Sequence, residues 1–567
     1  MAEASGATSA GDDALSPSPR RAAWLFPVLV FVAAVLPLWG LSRDFNDGVI
    51  GEFAYSTGLT EGLDFWLVLS NWFGHEALYL AAMWLGSTSG LPAWVFIKLW
   101  MTLTVGGMAF ETFRLARLHG YKYPHALAAS AVAASFPAFA VLYSSSVMHA
   151  GFAWLGLLSH RLLFWKKGWP QAAGLLLTVI SFQLNANLVL LIMLGLVAMW
   201  LQGWQRRREF AATVVSAVLF YLMFGMLFPP VGEYAGYNRI LLPTSAANIR
   251  KILESVALYG SWATLLVVPL AVGWATGRWP RARLAPQGLA RSATATTAAT
   301  AATPPAWQKP AIALVLTASA ALPYILVGKG APLFLPGPPQ GSSVIWAMYA
   351  STGDFFHLTL DAFMVRQATT MAAPFALLTI ALHEMLSAPL ALRRARLAFF
   401  AGVAASIAIQ LTLLYWAHLS KWKQAHWDRQ IVLALKKIGP PPAGYVNISL
   451  APVRSYQYPA GESNHLLWYA YGDVRWLGAV YYRDDGTWEK IIRRIRDDYA
   501  VKMGDAPPRE WLQYLLMDSF PAPPYRCETT IALTVKPAPE SLTALVRQTW
   551  SGDVSPATVD SIEKRCP

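Results

Sequence analysis

The chain has 567 residues, 55% of them hydrophobic and 14% charged, with a mean hydropathy of +0.38. A soluble protein of this size would carry about 25% charged residues, so an ordinary soluble enzyme is excluded. The net charge of +13 does not point to nucleic acid. Lys and Arg gather in short loops between apolar runs, the pattern that orients membrane helices.

Apolar runs of roughly 20 residues recur along the chain, each long enough to cross a bilayer. The fold class read from them is an α-helical polytopic membrane protein with about 11 transmembrane helices and a C-terminal extracytoplasmic α+β domain. Residues 1–22, rich in Ala, Ser, Gly and Pro, form a disordered cytoplasmic N-terminus. Residues 23–418 form the membrane-embedded unit and 419–567 the extracytoplasmic domain. The first span, 23–41, follows Arg20 and Arg21 and lacks the small-x-small site of a cleaved signal peptide. Further spans are expected at 91–112, 124–144, 146–164, 210–228, 252–275, 309–328, 368–390 and 397–418. The segment 171–203 lies between Lys166-Lys167 and Arg206-Arg207-Arg208, so it crosses an even number of times. Two short spans turning at Asn185–Asn187 satisfy that condition.

Five basic clusters then share one side: Arg114/Arg117/Lys122, Lys166/Lys167, Arg206–Arg208, Arg278/Arg281/Arg283 and Arg393/Arg394/Arg396. That side is the cytoplasm. Loops 229–251 and 329–367 and the C-terminal region fall outside. One apolar run, Phe65–Gly86, would reverse every later cluster if it crossed. It reads as an interfacial or re-entrant helix on the outer face. The alternative, in which it spans and 91–112 is interfacial, keeps the same parity.

The low-complexity stretch in 284–308 reads as a flexible cytoplasmic linker, and the Pro/Gly-rich loop Gly328–Ser343 as a lid near the membrane. In the last region, "YVNISLAPV" and "ETTIALTV" are strand-like, with a helix, "TWEKIIRRIRDDYAVKM", between them. Its Cys527 and Cys566 are the chain's two cysteines. In an oxidising compartment they pair as a disulfide, contributing roughly 3–4 kcal/mol. Without a CxxC, a thioredoxin-like role is disfavoured. No Walker A or GxSxG is present. His75-Glu76 and His383-Glu384 lack the second His of a zinc-protease motif, having Tyr79 and Ser387 in its place.

The stretch "LSRDFNDGVIGEF" brings Asp44, Asp47 and Glu52 together just past the first span. A carboxylate at a membrane surface can act as general base toward an acceptor hydroxyl. It can also help hold a divalent cation, Mg or Mn, beside a phosphate. The plainer alternative is a solvated helix end with Arg43 as partner.

The layout resembles the GT-C class of integral-membrane glycosyltransferases. It is most similar there to bacterial GtrII-type polyprenyl-phosphate-sugar-dependent glucosyltransferases, which modify surface polysaccharides. The residues that carry the resemblance are "RDFNDG" in the first outer loop, the Phe65–Gly86 helix after it, "SFQLNAN" in a short-span hairpin, and the terminal domain. Asn46-Asp47 stands where that family often has paired aspartates. The resemblance implies a catalytic Asp in this loop, Asp47 first and Asp44 second. It implies a polyprenyl-phosphate-linked sugar donor and a cell-envelope glycan or glycolipid acceptor. It places the chain among membrane lipids in a bacterial inner membrane, with a periplasmic C-terminal domain.

A departing phosphate needs cations near the outer surface. Arg239, Arg366 and Lys329 are the expected set, with Arg250 and Lys251 as further candidates. Glu52, His75, Glu76, Gln183 and Tyr237 complete the expected substrate-binding residues. Tyr234, Trp346 and Tyr349 supply sugar-stacking rings, and His149 and His357 can assist. Two other readings remain: a polysaccharide polymerase or ligase relying on Arg239 or Arg366, and a non-enzymatic transporter or assembly scaffold.

Overall fold

The computed structural model describes residues 23–39, 81–82, 84–86, 88–91, 93–143, 147–227, 240–278, 307–331, 333–336, 356–358, 363–441, 445–451, 466–467, 469–471, 477–482, 528–539, 541–551 and 553–565. The structure is mostly helical, at 79%. Helices occupy each segment expected to span. They are α1 (Leu25–Trp39), α2 (Ala93–Leu118), α3 (Tyr123–Ala134), α4 (Val147–Trp165), α5 (Trp169–Ser181), α6 (Asn185–Gln202) and α7 (Arg207–Leu227). After them come α8 (Ala246–Gly260), α9 (Thr264–Arg278), α10 (Gln308–Leu326), α11 (Ala372–Ser387) and α12 (Leu392–Ile438).

Among the described residues, five helical stretches are long and apolar enough to cross a membrane by themselves. They are Asn185–Gln202, Ala246–Gly277, Gln308–Leu326, Gln367–Ser387 and Leu392–Leu419. The others fall short for visible reasons. At 12 residues, α3 rises only about 18 Å, and the chain continues past Pro137 as a 3-10 helix, Pro137–Tyr143. A 3-10 helix, Phe363–Met371, likewise leads into α11. In α2 the apolar run is interrupted by Lys98, Glu111, Arg114 and Arg117.

Side-chain contacts fix the direction of each helix. At one end of α1, Trp24 packs on Phe110 and Phe113 of α2. At the other, Trp39 Nε1 donates to Thr102 Oγ1 at 3.0 Å. The two helices are therefore antiparallel, and α2 is a full member of the bundle. Trp39 and the start of α2 therefore lie at the same end of the pair.

The same reasoning gathers the basic loops. Arg161 of α4 grips Glu111 of α2, which brings the 166–167 and 114–122 loops to one end. Phe164 and Phe210 both meet Gly195, adding the 206–208 loop. Lys309 and His125 both meet Glu384, and Leu390 meets Gly277, adding the 278 and 393–396 loops. Exposed Trp169, Trp204 and Trp307 lie beside these loops, as amphipathic rings do at a headgroup layer.

Helices α9 and α12 approach closely. Gly273 and Gly277 on α9 face Ala398 on α12, and Gly402 of α12 abuts His383 of α11. Small residues four apart let backbones approach where lipid gives no hydrophobic drive. That spacing is what "GWATG" and "AFFAG" supply.

Spanning 47 residues, α12 is about 70 Å long, more than twice the roughly 30 Å apolar core of a bilayer. The position 418/419, where the sequence suggests a domain boundary, falls inside it. Beyond the apolar part, Trp427, Ile431 and Leu435 recur at a spacing of four and bury one face.

That face covers a four-stranded sheet of β3 (Tyr445–Ala451), β4 (Leu477–Tyr482), β5 (Glu528–Thr534) and β6 (Thr558–Arg565) in the order β4-β3-β5-β6. The first three strands are parallel and β6 is antiparallel to β5. Val446, Ile448 and Leu450 alternate onto the helix-facing side with Ile531 and Leu533. Gln430 locks the join. Its side-chain amide bonds the Lys536 backbone in both directions, at 3.0 and 2.8 Å, and its backbone carbonyl accepts from Ala557 N at 3.0 Å. A small pair, β1 (Phe334–Pro336) with β2 (Phe356–Leu358), sits between α10 and α11 in sequence.

Candidate functional site

The end of the bundle opposite the basic loops holds the 3-10 helices Pro137–Tyr143 and Phe363–Met371, the α5–α6 turn and the α10 exit. Trp39, the last described residue before the acidic stretch, also lies there. Asp44, Asp47, Glu52, His75, Glu76, Tyr237, Arg239, Cys527 and Cys566 lie outside the described residues. So do Tyr234, Trp346, Tyr349 and the helix expected around 487–503. Arg366 lies in the 3-10 helix Phe363–Met371, and His149 and His357 on α4 and β2; their side chains are outside the description.

Gln183 is half-buried in the α5–α6 turn, its N–H bonded to Ile180 O. The turn is pinned by Asn187, whose Nδ2 donates to Phe152 O at 2.7 Å and to Ser181 O at 2.9 Å. Gly156 lets α4 come this close. The Asn-rich hairpin is thus a packed structural joint, with Gln183 at its tip.

Lys329 sits between Gly328 and Gly330 where α10 ends. Gly328 has φ +70°, and Gly330 lies so close to Leu258 that a Cβ would stand 2.3 Å from Leu258 Cδ1. The turn is clasped by Trp262 Nε1 donating to Ala331 O at 2.6 Å and by Leu333 N donating to Ser261 Oγ at 2.8 Å. Lys251 packs against Gly328. Lys251 therefore lies near the turn that carries Lys329. Arg250 is turned outward and paired with Glu254 at 2.7 Å.

Behind this end lies a set of buried polar groups that the sequence did not single out. Ser135 ends α3 and donates to Gln410 Oε1 at 3.0 Å. Gln410, on the apolar part of α12, is 1% exposed, and its Nε2 has no partner. Gln367 is 5% exposed with an unpartnered Oε1. On α2, Trp100 Nε1 and Thr104 Oγ1 are also buried and unpartnered. They are four residues apart and share one helix face. A glutamine inside an apolar span was the available signal.

The opposite end carries ion pairs that tie helices together. Glu111 and Arg161 form a two-pronged bridge at 2.7 and 2.9 Å. Lys309 Nζ reaches both oxygens of Glu384 at 3.1 Å and lies over the Tyr121 ring. His125 Nδ1 is 3.6 Å from the same carboxylate and stacks on Phe399. These groups face one another in pairs, as structural locks do. Among the described residues no group of three His, Cys, Asp or Glu could hold a metal ion. No family model, curated protein or solved structure matches the chain.

Proposed function

We propose that the chain is a membrane glycosyltransferase that moves a sugar from a polyprenyl-phosphate donor to a cell-envelope glycan or glycolipid on the outer face of the membrane. The observation that carries this reading is the polarity of the bundle. All five basic loops gather at one end, which the positive-inside bias assigns to the cytoplasm. The helix leading into the acidic stretch ends at the other, where Lys251 lies near the turn that carries Lys329.

A lipid-linked donor presents its phosphosugar at that outer level. Asp47 then takes the proton of the acceptor hydroxyl, with Asp44 beside it. Lys251 and Lys329 offset the charge that develops on the leaving phosphate. In this reading eleven helices cross a bacterial inner membrane, and the sheet held by α12 lies in the periplasm.

The test is complementation of a gene-deleted strain by Asp47→Asn, reading polyprenyl-linked sugar pools and surface glycans. Normal insertion with accumulated donor and a glycan one sugar short is the expected result. Full complementation would remove Asp47 from the chemistry and move the polymerase and scaffold readings ahead.

A further inference from the structure

The cations at the basic end of the bundle differ in what they touch. Arg117 donates to Tyr121 O at 2.9 Å, Arg114 lies over the Phe110 ring, and Arg161 is held by Glu111. Beside α5 and α7 the cations stay open. Lys166, Lys167, Arg207 and Arg208 are exposed, and none of them has an ion pair among the described residues. Arg206 is paired with Glu209 at 3.3 Å, and Glu209 is the only carboxylate in the sequence between Arg161 and Phe210.

The fold brings these loops together by direct contact. Helices α5 and α7 pack on each other. Phe164, Trp165 and Phe210 share one apolar cluster. Lys166 follows the first two, and Arg208 lies two residues before the third. Deeper in the bundle, Phe182 and Phe220 lie 5.8 Å apart. Phe182 stands 13 residues past Trp169, and Phe220 stands 13 past Arg207. The two helices therefore run in the same direction with their first residues level.

Two indoles frame the patch. Trp169 is 81% exposed and Trp204 78%, the highest values for large apolar side chains among the described residues. Such rings sit at the level of lipid headgroups. Below them Leu176 and Val179 of α5 are exposed, with Val215, Val218 and Leu219 of α7. This apolar strip starts seven residues past Trp169 and eight past Arg207, about 11 Å down the helices. Open cations above, indoles between and hydrocarbon surface below match a molecule that is anionic at one end and apolar at the other. A free phosphate would leave the strip and the indoles without a role.

We propose that this patch holds an anionic phospholipid, its phosphate on Lys166, Lys167, Arg207 and Arg208 and its acyl chains along α5 and α7. The site lies at the end opposite the proposed transfer chemistry and does not rest on it.

The experiment titrates the full chain, purified in a neutral detergent, with phosphatidylglycerol or phosphatidylcholine and follows bound lipid by native mass spectrometry. Wild type is expected to retain phosphatidylglycerol and to lose phosphatidylcholine. Lys166→Gln with Lys167→Gln, and Arg207→Gln with Arg208→Gln, are each expected to weaken phosphatidylglycerol binding about thirtyfold. Arg393→Gln with Arg394→Gln removes the same charge from another exposed pair and should leave that binding unchanged. Trp169→Ala with Trp204→Ala keeps every charge, so membrane insertion is undisturbed, and it too should weaken phosphatidylglycerol. Wild-type binding by these lysine, arginine and tryptophan variants would overturn the site. So would an equal loss in the 393/394 variant, which would mean diffuse charge, or retention of phosphatidylcholine as firmly as phosphatidylglycerol. Displacement of the lipid by inorganic phosphate would instead mark a free-anion site and overturn the lipid assignment.

Discussion

A methyl group on Gly402 would stand 2.3 Å from Cε1 of His383, closer than carbon atoms can approach. His383 is itself buried, with Nε2 3.5 Å from Ser406 Oγ, so it has little room to yield. Gly402→Ala is therefore expected to destabilise the bundle by about 1–3 kcal/mol through overpacking, seen as a lower unfolding temperature in detergent. Gly402→Ala combined with His383→Ala should recover part of that loss relative to the sum of the single changes. Strict additivity would mean that the imidazole is not the obstacle. Glu111 and Arg161 make a similar point about charge. Glu111 is 4% exposed, and such a group is tolerated because the guanidinium meets both of its oxygens.

At the scale of elements, α12 joins the bundle to the sheet without a break. Beyond Leu419 it mixes charged and apolar residues, and it stays helical because its buried face packs on β3 and β5. His426 lies at this join, buried and next to Arg429; burial first, and then that cation, hold its imidazole below the ordinary value. The folded form therefore keeps it neutral, while the unfolded form takes up a proton more readily. Its contribution is fully present above about pH 6.5 and is lost as pH falls below that toward the folded value. Hydrogen exchange in 427–435 and 528–534, corrected for the intrinsic rate, is expected to quicken between pH 7 and pH 5. His426→Asn, which cannot titrate, should flatten that dependence. An unchanged slope would place the sensitivity elsewhere.

At the scale of the molecule, the two ends of the bundle differ in charge and in the groups they bury. In a background with Cys527 and Cys566 replaced by Ser, single cysteines at Arg207 and Arg394 are expected to react with an impermeant maleimide only in opened cells. Cysteines at Ser245 and Lys329 should react in cells whose inner membrane is intact. Labelling of Arg394→Cys from outside would invert the bundle and remove the surface assignment on which the proposed chemistry depends.

The sequence by itself determined the positions of the helices and the common side of the basic loops. Both follow from hydropathy and charge, which are local and cumulative along the chain. It also supplied two of the strands, "YVNISLA" and "ETTIALT", from their β-branched alternation. Tertiary structure alone decided the rest. Exposed from Thr558 to Lys564, "TVDSIEKR" carries no inward pattern there and is a strand because its backbone pairs with β5. The extension of α12 past residue 419 depends on the sheet it covers. The approach of Lys251 to the turn carrying Lys329, the fit of Gly402 to His383 and the hydrogen bond from Ser135 to Gln410 join residues far apart in the chain. No periodicity records them, because they arise from how the helices cross.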